Sequence, residues 1–202
     1  MAAPITFYFD FNSTFSYIAI HKIDELAAKY GRAVDWRAIS LGHLFQAQNI
    51  VPPPTIPAKF KYLAHDFDRS CRFAGLPSAL PKNFPPDVKF SRLMFWHLKA
   101  QDEALARRFA KAVSSAIFGR GEEVVTPEQV ALACRDIPGI TAEAVAAAGA
   151  DGTAKRAVIT ALNDAVADGM VGAPYFVLDG ETFWGADRMD QLEWRLAELK
   201  AS

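Results

Sequence analysis

Cysteine is nearly absent from this 202-residue chain, which has two, Cys71 and Cys134, far apart in sequence. Neither a Cys-x-x-Cys redox pair nor a cysteine-rich zinc site can be built from them, and the expectation is two buried thiols in a reducing compartment. Charge of one sign is lacking too. The 22 Lys and Arg residues meet 23 Asp and Glu for a net charge of −1, without the clustered basic excess that phosphate contacts demand. No uninterrupted apolar run approaches the ~18 residues of a membrane span. Residues 1–4 lead straight into an apolar strand, with no basic n-region and no small-residue cleavage site. The expectation is a cytoplasmic protein that engages neither nucleic acid nor membrane. His21, His43, His65 and His97 form no HExxH or paired spacing, so no metal is expected. A GxSxG elbow and a GxGxxG fingerprint are both missing. What the chain has in quantity is apolar residues, 51% against 22% charged, enough to bury a substantial core.

The apolar pattern changes along the chain. Ile5 to Phe11 is dense in β-branched and aromatic residues and predicts a buried strand. Asn12 or Ser13 can cap the helix that follows, whose Ile20, Ile23, Ala27 and Tyr30 recur at helical spacing before Gly31 ends it. Ala33–Ser40 predicts a second strand, parallel to the first as in a right-handed βαβ unit. The proline-rich stretches 51–57 and 77–86 interrupt regular structure. Helices are predicted over Lys59–Ala74, Lys89–Ala100 and Glu103–Phe118, and from Thr126-Pro127-Glu128-Gln129, which reads as a capping box with proline at the first helical position. Two more follow over 141–149 and 153–168, the latter with Val158, Leu162, Ala165 and Val166 on one face. Tyr175–Leu178, the turn pair Asp179-Gly180, and Glu181–Trp184 predict a hairpin. Met189, Leu192, Leu196 and Leu199 then mark a last helix.

Three short segments could carry chemistry. Asp10-Phe-Asn-Ser13-Thr-Phe-Ser16-Tyr17 puts two serines at a strand-to-helix junction, where free N–H groups and the helix dipole favour an anion. Ser13 could equally be a plain N-cap. In Val171-Gly-Ala173-Pro174, proline precedes an apolar strand, either as simple punctuation or in the place of the thioredoxin fold's cis-proline. Trp184-Gly185-Ala186-Asp187-Arg188 sets small residues and a carboxylate before the last helix, for a charged ligand or for capping.

With these residues in this order, the chain resembles the 2-hydroxychromene-2-carboxylate isomerases, relatives of the kappa-class glutathione transferases in the DsbA-like thioredoxin superfamily. The resemblance spans nearly the whole chain. It also draws on Asn49 ahead of the proline-rich loop, on Lys59-x-x-Tyr62-x-x-x-Asp66 and on Gly75-Leu-Pro77. It implies an α/β fold in which a thioredoxin-like domain, residues 1–45 and 170–202, carries an inserted all-α helical domain, residues 46–169. Disulfide-exchanging relatives carry Cys-x-x-Cys where this chain has Ser13 and Ser16.

The resemblance implies a glutathione-dependent isomerase of aromatic-compound degradation, acting as a homodimer on a small aromatic substrate. Ser13 would be catalytic, favouring the glutathione thiolate. Ala173, before a cis Pro174, would pair with the cysteinyl unit. Asp187 with Gly185, Ala186 and Trp184 would hold the γ-glutamyl end. Asn49 and Lys59 would line the glycyl end of glutathione and the substrate side, with Phe84 also on the substrate side, Lys59 being preferred to Lys61 or Arg69 for a carboxylate and Phe15 or Trp184 also able to meet an aromatic ring. One departure stands out: the family commonly has proline after the key serine, where this chain has Thr14, a residue that fits the first helical position and changes pocket polarity. A kappa-like transferase or peroxidase, and a non-catalytic thioredoxin-like binding protein, are the competing functions.

Overall fold

The computed structural model describes residues 3–201, so the end points 1–2 and 202 of the expected thioredoxin-like unit lie outside the described residues. Strand β1 (Ile5–Phe9) is buried on both faces apart from a half-buried Thr6, as befits a strand covered on both sides. It takes a central place in a four-stranded sheet of order β2-β1-β3-β4. Helix α1 (Thr14–Lys29) connects β1 to β2 (Val34–Ala38), and the two strands run parallel with Phe7 opposite Trp36. On its other side β1 pairs antiparallel with β3 (Tyr175–Leu178), Phe7 opposite Phe176. The hairpin to β4 (Glu181–Trp184) turns through Asp179 and Gly180, both at positive φ (50° and 88°), the type I′ geometry that Asp-Gly favours.

Alternation along β1 builds two cores. Ile5, Phe7 and Phe9 enter the larger one, where the Phe7 ring stacks on Phe176 at 5.2 Å and meets Trp36 edge-on at 5.1 Å. Tyr8 faces the opposite way, into a smaller cluster with Ile39, Leu44, Ala161, Ala165 and Met170.

Between β2 and β3 the chain is helical: α2 (Leu41–Ala47), α3 (Pro57–Ala74), α4 (Lys89–Lys99), α5 (Glu103–Ser114), α6 (Pro127–Ala133), α7 (Ala142–Ala150) and α8 (Gly152–Ala167), with α9 (Met189–Ala201) closing the chain. The predicted capping box at α6 is present: Gln129 N–H donates to Thr126 Oγ1 at 3.3 Å while Gln129 Oε1 accepts from Thr126 N–H at 3.1 Å.

Several expectations are corrected. β1 stops at Phe9 rather than Phe11 because Asp10 turns its buried carboxylate away from the ladder, to accept from Leu41 N–H at 2.7 Å and Arg92 at 3.0 Å. The helix expected through Phe118 is α-helical only to Ser114, and Ser115–Gly119 winds as a π turn. Helix α2 (Leu41–Ala47) was not expected. In α8 the buried residues are Ala154, Ala161 and Ala165, while Val166 is exposed. Among the described residues no helix is long and apolar enough to cross a membrane.

Candidate active site

The head of α1, the loop before β3 and the segment after β4 converge because β1 and β3 are neighbours. Ser13 is the N-cap of α1: its Oγ accepts from Ser16 N–H at 3.1 Å. The same hydroxyl donates to the Ala173 carbonyl at 2.9 Å, which ties the helix end to the loop before β3. The Ala173–Pro174 peptide is cis. Ser13 is only 7% exposed. Ser16, at the second position of the serine pair, is fully buried and accepts from Asp10 N–H at 3.5 Å.

Glycines shape the far side. Trp184 lies across Gly172 so closely that a Cβ there would stand 2.6 Å from its Nε1. Gly185 has φ 108°, a conformation that side chains rarely adopt, and a Cβ on it would run into Asp187 Oδ1. The Gly185 N–H donates to the Pro174 carbonyl at 2.9 Å, and Ala186–Arg188 form a short 3₁₀ turn ahead of α9. Asp187 is left with its side chain 75% exposed, 3.5 Å from Arg188.

These segments open on a groove of about 1650 Å³. Of the residues singled out from the sequence, Ser13, Lys59, Phe84, Ala173, Trp184, Gly185, Ala186 and Asp187 line it. Pro174 is buried behind the wall. Asn49 is not part of the lining: it is exposed, at φ 55° as the chain leaves α2, and Ile50 and Val51 take the wall positions instead. Lys59 lines the groove and has no ion pair among the described residues, whereas Arg69 is outside the lining and bound to Asp66 and Tyr62. Phe15 is also on the wall. Phe84 stacks on Phe60 at 5.8 Å. Sequence reasoning did not place Lys22 here; it gave Asn12 and Arg188 no separate role within their motifs, and it expected Thr14 only to change the pocket's polarity. All four line the groove, and Lys22 is, like Lys59, without an ion pair among the described residues.

The chain's own thiols stand elsewhere. Cys71 and Cys134 are buried, burial pushes each thiol up to about 12, and neither lines the groove. Tyr17, in the same motif as Ser13, donates to the Pro77 carbonyl at 3.1 Å, and burial pushes its phenol up to about 12. His21 one turn on is pushed down to about 4, by burial first and by Lys111 and Lys22 next.

A capped helix end facing the loop before an antiparallel strand, with serines at both motif positions, defines a thioredoxin-type binding site without a dithiol. The chain belongs to the DSBA-like thioredoxin domain family, whose model matches residues 4–197. Within that family it is similar to the 2-hydroxychromene-2-carboxylate isomerase of Sphingobium xenophagum, 29% identical over 96% of this chain and 97% of the relative. It is also similar to glutathione S-transferase kappa 2 of Caenorhabditis elegans, 24% identical over 96% and 92%. A solved structure of a 2-hydroxychromene-2-carboxylate isomerase superposes with a TM-score of 0.85 at 27% identity, covering 96% of this chain and 95% of that one.

Proposed function

We propose that the chain is a glutathione-dependent isomerase that converts 2-hydroxychromene-2-carboxylate to trans-o-hydroxybenzylidenepyruvate. We further propose that residues 1–45 and 170–202 form the thioredoxin-like unit and residues 46–169 the inserted helical one. The observation that carries the reading is Ser13, a hydroxyl nearly buried at the floor of a large groove and set at the positive end of α1. Similarity to named isomerases over almost the full length of the chain supports the substrate.

The groove suits a thiol tripeptide in its donors and acceptors. The head of α1 offers N–H groups and a hydroxyl to a sulfur anion, the Ala173 carbonyl accepts from a backbone N–H, and Asp187 is available to an ammonium group. When bound, glutathione supplies a nucleophilic sulfur for reversible addition to the conjugated double bond, which lets the carbon–carbon bond turn as the ring opens and is undone when the sulfur leaves.

The chain's residues do the rest. A free thiol titrates near 8.5, so the helix end and its hydroxyls must draw it towards the ionised form at neutral pH. The single Ser13 proton is directed at the Ala173 carbonyl. Pairing of a ligand N–H with that carbonyl releases the proton to turn towards the sulfur. Lys59, ahead of Lys22, faces the substrate carboxylate. Phe84 and Phe15 bound the side on which an aromatic ring would lie.

The test is a spectrophotometric assay with and without glutathione, run on the hydroxychromene carboxylate and on chlorodinitrobenzene side by side. Isomerisation that depends on glutathione without consuming it is the expected result. Conjugation of chlorodinitrobenzene without isomerisation would give the kappa-like transferase reading instead, and inactivity on both would favour a binding protein.

A further inference from the structure

The head of α1 carries a second hydroxyl with a different status. Thr14, the first residue of α1, is 3% exposed and lines the groove next to Ser13. Its side chain makes no hydrogen bond to any described residue. Threonine within a helix commonly satisfies its hydroxyl on the carbonyl four residues back. At the first helical position no preceding turn exists to provide one. The neighbouring hydroxyl is committed twice, as acceptor from Ser16 N–H and as donor to the Ala173 carbonyl. The N–H groups of Thr14 and Phe15, the first two of the helix, likewise find no acceptor among the described residues. Two N–H groups and one unpaired hydroxyl, on a residue that is 3% exposed, therefore meet at one helix end on the groove. That hydroxyl has no protein partner to give up, so its proton is open to an acceptor that enters the groove.

We propose that Thr14 is a second thiolate donor: its hydroxyl hydrogen-bonds the sulfur anion of bound glutathione and, together with Ser13, sets how far that sulfur ionises. The proposal rests on the glutathione reading given above. It assigns the two hydroxyls different duties. Ser13 ties the helix end to the loop before β3 and can release its proton only when the ligand backbone takes over the Ala173 carbonyl. Thr14 has its proton available from the outset and needs no such exchange. A thiol that enters sulfur first would meet Thr14 as its initial partner.

The experiment titrates the bound thiol by its thiolate absorbance in the ultraviolet, in the wild type, Thr14→Val and Thr14→Ser, alongside glutathione binding by calorimetry and turnover across pH. Thr14→Val keeps the shape and removes the hydroxyl. It is expected to move the bound-thiol titration to higher pH and to lower turnover near neutrality about tenfold, the scale of one lost hydrogen bond to a charged acceptor. Turnover should recover as the pH rises above the shifted titration, and Thr14→Ser should behave as the wild type. A purely structural role would lower the melting temperature without moving the titration. Wild-type titration and pH profile in Thr14→Val, with normal thiolate formation in the parent, overturn the Thr14 assignment alone. A parent protein that binds no glutathione overturns the glutathione reading, and this assignment falls with it.

Discussion

Replacing Ser13 separates two jobs that one oxygen performs. As N-cap, Ser13 Oγ accepts from Ser16 N–H at 3.1 Å, an interaction whose loss to alanine costs about 1 kcal/mol. Its bond to the Ala173 carbonyl at 2.9 Å adds about another 1 kcal/mol. Ser13→Ala should therefore lower stability by about 2 kcal/mol, a fall in melting temperature of roughly 4–8 °C at this chain length. Loss of the hydrogen bond to a charged sulfur is a separate effect of about 1.5–3 kcal/mol, which moves the bound-thiol titration up by about one to two pH units and slows turnover about ten- to a hundredfold near neutrality. Ser13→Asp distinguishes the two, because aspartate caps a helix as well as serine yet sets a like charge beside the thiolate. That variant should keep the cap interaction but lose the bond to the Ala173 carbonyl, which a carboxylate cannot make, while raising the thiol titration at least as far as Ser13→Ala does. Thermal melts, ultraviolet titration of bound glutathione and steady-state rates on all three proteins make the comparison. A Ser13→Asp protein that ionises the thiol and turns over as the wild type does would refute the reasoning.

Four further outcomes follow from the same geometry. A glutathione analogue with an ester oxygen in place of the cysteinyl N–H should bind with its thiol titrating closer to the free value, because nothing then draws the Ala173 carbonyl away from Ser13; ultraviolet titration reads this. Asp187→Asn should weaken glutathione binding about threefold to tenfold by calorimetry while leaving kcat nearly unchanged, the exposed carboxylate being screened by solvent. Gly185→Ala should destabilise the fold by about 1–3 kcal/mol and weaken glutathione binding, since the new Cβ meets Asp187 at a φ that side chains avoid. Because His21 titrates near 4 in the folded chain against about 6.5 unfolded, its contribution to stability is complete above about pH 6.5 and is lost as the pH falls towards 4; His21→Leu should flatten that acid limb in thermal melts.

How far the sequence foretold this depends on whether the signal was local. The hairpin was legible because Asp179-Gly180 is a turn pair of defined geometry between two short apolar runs, and the α6 start because Thr126 and Gln129 cap each other across one turn. Helix α2 gave no such mark. Ser40 precedes it, but the Ser40 hydroxyl meets His43 Nδ1 at 2.9 Å and makes no cap bond. The α8 face was read in part: Ala165 is buried and Leu162 packs against the smaller core, but Val166 is exposed and Ala161 takes the buried place, because hydrophobicity favours valine over alanine. That helix shares the smaller core with Tyr8 and Tyr175, and there the small side chains Ala161 and Ala165 let the backbones approach. The groove behaved likewise. Ser13, Ala173 and Asp187 sit in motifs whose spacing reflects a helix end and a strand start. Lys22 lines the wall only because α1 passes along the groove in space, and nothing in its neighbours along the chain says so. Asn49 illustrates the converse: a residue conspicuous before the proline-rich loop stands one position short of the wall.

The loss of the dithiol can be traced to its physical consequence. In a Cys-x-x-Cys site the first position faces the ligand and the second lies deeper in the helix, and here Ser13 at 7% exposure and Ser16 at none preserve that difference. A hydroxyl at the deeper position cannot resolve a mixed disulfide, so disulfide exchange is closed to this site. A helix end of the kind that favours an anion is retained regardless, because the dipole and the unpaired N–H groups belong to the backbone and do not depend on the side chain. Neither Cys71 nor Cys134 can fill the place: each is buried away from the groove with its thiol held near 12, some three pH units above a free thiol, and so almost wholly un-ionised at neutrality. On the proposed reading, the sulfur at this helix end therefore comes from a ligand thiol, since neither cysteine of the chain lines the groove.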